Sequence, residues 1–91
     1  MTREDLLLEI DQAGALIVSV RTRFPADRLL ERAQELLAEL RAQVGATWPV
    51  PTSESPWIPI GRFAVRAFDD GSYPEIVDRL VHIEALTRKA S

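Results

Sequence analysis

Leu6, Ile10, Ala13, Ile17, Val20 and Phe24 recur at steps of four and three along the first part of the chain. Side chains three and four apart share one face of an α-helix, so the spacing predicts a helix over residues 2–23. Leu7, Gly14 and Val18 widen the apolar stripe, and Leu8, Ala15 and Leu16 leave little polar surface in the middle. A helix that is apolar nearly all round belongs at the centre of its bundle. A strand over Ala15–Val20 is the rival, because Ile17, Val18 and Val20 are β-branched. Helix wins because the spacing persists through the whole segment and no second strand stands out. Thr2, with Asp5 three residues on, suits an N-cap close to a capping box.

Phe24-Pro25 breaks the first stripe. Pro25 fits the first turn of a new helix and Asp27 complements its positive end. Leu29, Leu30, Ala33, Leu36, Leu37, Leu40 and Val44 then predict a second helix over 25–43, stopped by Gly45. The short connection makes helices one and two an antiparallel hairpin. Between Val44 and Ile60 lie four of the six prolines and both tryptophans. Proline fixes φ and restricts the residue before it, so 44–59 is expected to be an extended loop. Ile60, Phe63, Ala64, Ala67 and Phe68 share a face and predict a short helix over 60–69, ended by Asp70-Gly71. Ser72 with Glu75 reads as a capping box for a fourth helix over 73–89, whose stripe is Ile76, Val77, Leu80, Val81, Ile83 and Leu86. The fold expected is all-α: a single domain spanning 1–91, a small four-helix bundle with a long Pro/Trp loop between helices 2 and 3.

Composition narrows the function classes. Ninety-one residues suit one domain, large enough for a core without staples. A net charge of −3 penalises approach to a phosphate backbone, so no nucleic-acid partner is expected. The absence of cysteine excludes disulfides, thiol nucleophiles and Cys-ligated zinc. Acidic residues stand where a signal peptide carries positive charge, and no apolar run approaches the roughly 20 residues that span a bilayer. The expectation is a soluble, cytoplasmic protein with no membrane partner. Ten arginines against one lysine, and no asparagine, resemble the usage of GC-rich bacterial genomes.

No residue set demands a particular reaction. Asp69-Asp70-Gly71-Ser72 looks like a fragment of a calcium loop, but its ligands are adjacent rather than alternating, and helix stop and cap signals account for all four. His82 is the only histidine, and no spacing places a nucleophile or carboxylate beside it for general-base work. One histidine without cysteine does not make a typical zinc site. The glycines are dispersed and match no phosphate-cradling loop. No enzyme activity, cofactor or metal is expected.

What remains is recognition. Trp48 and Trp57 at the ends of a stiff loop either fold back over the open end of the helix hairpin or present a ring as an anchor, since Trp and Arg dominate interface energies. Arg62 and Arg66, one turn apart, suit carboxylates or phosphates; otherwise they pair with Glu54, Asp69 or the acidic second helix. Glu31, Glu35 and Glu39 form a row that is either a solvated face or a surface for a basic partner. The candidate partner-binding set is Trp48, Trp57, Glu54, Arg62 and Arg66, with Glu31, Glu35 and Glu39 as an acidic face. The function expected is a non-catalytic protein-binding module, at class level a bacterial immunity- or antitoxin-type inhibitor or an adaptor. The alternative is a self-associating, homodimeric structural or regulatory protein whose apolar first helix completes its burial across the interface.

Overall fold

The computed structural model describes residues 2–48 and 57–90. Among these there are four helices and no strand: α1 (Arg3–Arg23), α2 (Arg28–Thr47), α3 (Ile60–Ala67) and α4 (Pro74–Ala90). The all-α expectation holds. Contacts run round a ring from α1 to α2, α2 to α3, α3 to α4 and α4 back to α1, which puts α1 and α3 at opposite corners. The core is the set of seams facing the centre. Leu6, Ile10, Ala13 and Ile17 come from α1; Leu30, Ala33, Leu37, Leu40 and Val44 from α2; Ile60, Ala64 and Phe68 from the α3 segment; Ile76, Leu80 and Ile83 from α4. The α1, α2 and α4 seams advance by alternating threes and fours, the spacing that keeps side chains on the line where antiparallel helices meet. Each fully buried Leu or Ile contributes about 1.5–3 kcal/mol relative to exposure.

The helix ends correct several expectations. α1 starts as anticipated: Asp5 N–H donates to Thr2 Oγ1 at 3.2 Å and Thr2 N–H to the Asp5 carboxylate at 3.3 Å, a complete capping box. Those bonds hold the Asp5 carboxyl below its ordinary value. α2 begins at Arg28 and not at Pro25. Asp27 is its N-cap, with Oδ1 accepting from Leu29 N–H at 3.0 Å and Leu30 N–H at 3.3 Å. A carboxylate that satisfies two orphan amides defines a helix start better than a proline that merely tolerates one. α2 also runs through Gly45 to Thr47, so residues 44–47 are helical and not part of an extended loop. The stop is Trp48, extended at φ −60 and ψ 142. It precedes Pro49 in the sequence, and a residue before proline is pushed out of the α region. α3 ends at Ala67, two residues before the predicted boundary. α4 follows Tyr73 and not Ser72; Ser72 N–H instead donates to Asp70 Oδ1 at 3.0 Å.

α3 and α4 form the tightest pair. A Cβ on Gly61 would stand 2.8 Å from Val81 Cα and 3.1 Å from Leu80 O, so glycine permits backbone-to-backbone contact there. Pro59 offers α3 no side-chain cap. Glu84 of α4 supplies one: its Oε1 accepts from Arg62 N–H at 3.3 Å, while Oε2 pairs with Arg88 at 3.1 Å.

Aromatic rings stand at both ends of the bundle. At the α1–α2 turn, Tyr73 meets Phe24 edge-on at 5.7 Å and Phe68 at 5.4 Å, and its hydroxyl donates to Asp27 Oδ2 at 2.8 Å. Phe24, placed on the buried stripe by spacing, is 50% exposed. At the other end Trp48 and Trp57 stand 6.2 Å apart. Arg41 Nε donates to Asp11 Oδ1 at 2.7 Å and holds that carboxyl below its usual range, joining α2 to α1. Among the described residues, no helix is long and apolar enough to cross a membrane.

Candidate protein-interaction site

α3 reads Ile-Gly-Arg-Phe-Ala-Val-Arg-Ala, with two cations and no acid in a chain of net charge −3. Its inward face carries Ile60, Gly61 and Ala64, which are buried. That register turns Arg62 and Arg66 outward, and both are exposed. Among the described residues neither guanidinium makes a hydrogen bond or ion pair. Pairing with Asp69 or with the acidic face of α2 is therefore ruled out; Glu54 lies outside the described residues.

Phe63 sits on the flank of α3 that faces α2. Together with Leu29, Pro59, Ala67, Arg62 and Arg66 it lines an open groove of about 410 Å³. Leu29 is 45% exposed and forms the α2 wall. Arg62 also borders a second groove, of about 350 Å³, on the α4 side of α3, shared with Trp57, Ile58, Glu84 and Arg88. α3 is thus a cationic ridge between two hollows, with an apolar floor toward α2.

The tryptophans are brought together with this ridge but do not project from it. Both rings are half-buried and pack against the core. The indole Nε1 of Trp57 is buried with no hydrogen-bond partner among the described residues. Ile58 N–H donates to Gln43 Oε1 at 3.1 Å, which ties the approach to α3 onto α2. The fold-back arrangement describes Trp48 and Trp57 better than an exposed anchor does. Trp57 borders the site without forming its centre.

The acidic row remains on the surface. Glu31, Glu35 and Glu39 are all exposed along α2, but Glu35 already pairs with Arg32 at 3.1 Å. The row is partly neutralised from within its own helix.

The expectation that no carboxylate stands near His82 is corrected: Asp78, one turn back on α4, and Glu9 of α1 line the same groove. A groove of about 670 Å³ between α1 and α4 is lined by Glu9, Leu16, Glu75, Asp78, Arg79 and His82. Arg79 spans it toward α1, with Gln12 Oε1 at 3.3 Å and Glu9 Oε2 at 3.9 Å. The imidazole makes no hydrogen bond to a described residue, so nothing fixes the tautomer that proton transfer would need. No group of three His, Cys, Asp or Glu among the described residues is placed to hold a metal. Leu29 and Phe63 are the functional candidates that sequence reasoning passed over as core, since both lie on apolar stripes. Only their placement on two adjoining helices makes them one surface.

No family model, curated protein or solved structure matches the chain.

Proposed function

We propose that this chain is a non-catalytic protein-binding module that engages its partner through α3 and the adjoining α2 wall. The observation that carries the reading is the coexistence of an open apolar groove at Leu29 and Phe63 with two guanidiniums that have no partner among the described residues. Interfaces that hold well combine a desolvated apolar centre with a polar rim, and arginine is enriched among the residues that dominate their energy. A charged ridge left unpaired next to an apolar floor has the chemistry of such a rim. An immunity- or antitoxin-type inhibitor and an adaptor are both forms of this proposal, distinguished by what the partner is.

The test uses Leu29→Glu, which places a charge on the groove wall at a half-exposed position. Capture from a lysate of the source organism with the native chain should retain a protein that the variant loses, with unchanged circular dichroism. A partner held equally by both chains removes α3 as the docking face.

One observation favours a second reading. Leu8 is 57% and Val18 50% exposed, and Ala15 lies exposed between them on the outer side of α1. A homodimer joined through this face would finish the burial that the apolar first helix leaves incomplete. Sedimentation equilibrium with native chain and Leu8→Glu separates the two: a dimer that the substitution dissociates supports self-association, and a monomer at high concentration excludes it.

A further inference from the structure

We infer that the segment received by the α2–α3 groove is an acidic amphipathic helix, its apolar side chains seated between Leu29 and Phe63 and its carboxylates, one turn apart, on Arg62 and Arg66. This rests on α3 being the docking face. The described residues contain no strand, so there is no sheet edge to which an extended peptide could add. Recognition of a polyproline segment needs a groove walled by several aromatic rings, and this one has Phe63 alone. Capture of an acidic motif by an arginine cluster would use Arg62 and Arg66 but leave the apolar floor at Leu29 and Phe63 empty, whereas an amphipathic helix laid in the groove uses both.

The charge of the occupant follows from desolvation. Covering the groove removes water from Arg62 and Arg66, and a buried unpaired guanidinium is costly. Carboxylates answer both charges, with forked hydrogen bonds that match the planar guanidinium. Residues four apart on a helix lie about 6 Å apart, so carboxylates at i and i+4 of the incoming helix match the pitch of Arg62 and Arg66. The chain as a whole carries a net charge of −3, so an acidic segment is repelled by the molecule at large and is drawn to α3, which has two cations and no acid. Single-stranded nucleic acid would need several exposed stacking rings interleaved with the cations, and this groove offers one half-buried ring, Phe63, between its two arginines.

The experiment is selection from a displayed library of short amphipathic helices with a fixed leucine stripe and randomised flanking positions, panned on the native chain. Expected binders are enriched in Glu or Asp at paired i and i+4 positions. They weaken about tenfold or more on Arg62→Gln/Arg66→Gln and on Leu29→Glu. Binders lost on Leu29→Glu but indifferent to the double arginine change, or not enriched in acid, overturn the acidic helix and leave α3 as the docking face. Binders indifferent to Leu29→Glu, or no enrichment at all, overturn both. Single-stranded DNA that binds and competes at the same arginines, or a dimer of the native chain that the double change dissociates, overturns the inference by naming another occupant.

Discussion

Gly61 and Gly45 are both helical glycines, and their surroundings give them opposite meanings. Gly61 has the backbone of α4 where a side chain would go, while around Gly45 nothing lies within 4 Å of an added Cβ. Gly61→Ala must therefore push α3 off α4, an overpacking cost of about 1–3 kcal/mol. Gly45→Ala gains helix propensity without a clash and should stabilise by about 0.5–1 kcal/mol. In a domain of this length each kcal/mol moves Tm by about 4–8 °C, so thermal melts should separate the two variants in opposite directions. A raised Tm for Gly61→Ala would refute the close crossing. Tyr73 is the second residue whose role is testable alone, because it is the chain's one tyrosine. Its hydrogen bond to Asp27, followed by burial, raises its pKa above the ordinary value. The stabilisation from that bond is complete below about pH 10 and is lost as pH rises through the raised value. Phenolate absorbance should thus titrate late in the native chain and return toward the ordinary range in Asp27→Asn; identical curves would show that the bond does not form in solution.

At the scale of elements, the stripes were legible and, apart from the Thr2 cap of α1, most of the ends were not. Leu6, Ile10, Ala13 and Ile17, or Leu30, Ala33, Leu37, Leu40 and Val44, reveal themselves because helical geometry repeats whatever the neighbours are. Ends are contests between local signals: Asp27 outcompetes Pro25 at the start of α2, and the residue before Pro49 outlasts Gly45 at its close. α3 shows why some caps cannot be read locally at all. Its amide at Arg62 is satisfied by Glu84, twenty-two positions away and on another helix. The same distance hid the candidate site: arginine spacing was visible, but the groove exists only once Leu29 of α2 stands beside Phe63. The cap is testable. Glu84→Ala should leave the Arg62 amide without its acceptor and cost about 1 kcal/mol, with amide exchange accelerated at the first turn of α3. Unchanged exchange there would show that water replaces Glu84 without loss.

For the whole molecule, the question is which surfaces hold the fold and which are free to recognise. A four-helix ring leaves two open ends, and here each has its aromatics: Tyr73 with Phe24 and Phe68 at one, Trp48 with Trp57 at the other. Rings that are half-buried against the core hold the fold, whereas exposed arginines without described partners leave it alone. This predicts a clean division. Trp57→Ala removes a large ring that is only partly covered and should cost about 2 kcal/mol, less than the 3–5 typical of a fully buried aromatic. Arg62→Gln/Arg66→Gln should stay within about 0.5 kcal/mol of the native chain, since neither guanidinium supports another described group. Urea unfolding followed by circular dichroism measures both, and indole emission of the native chain should lie blue of that of free tryptophan. If the arginine pair unfolds the domain while Trp57→Ala is silent, the roles are reversed: α3 would be a structural strut and the Trp end the exposed surface. If the division holds, the arginines are available to a partner at no cost to the fold, which is the condition under which a docking face can be substituted and its loss of binding read without ambiguity.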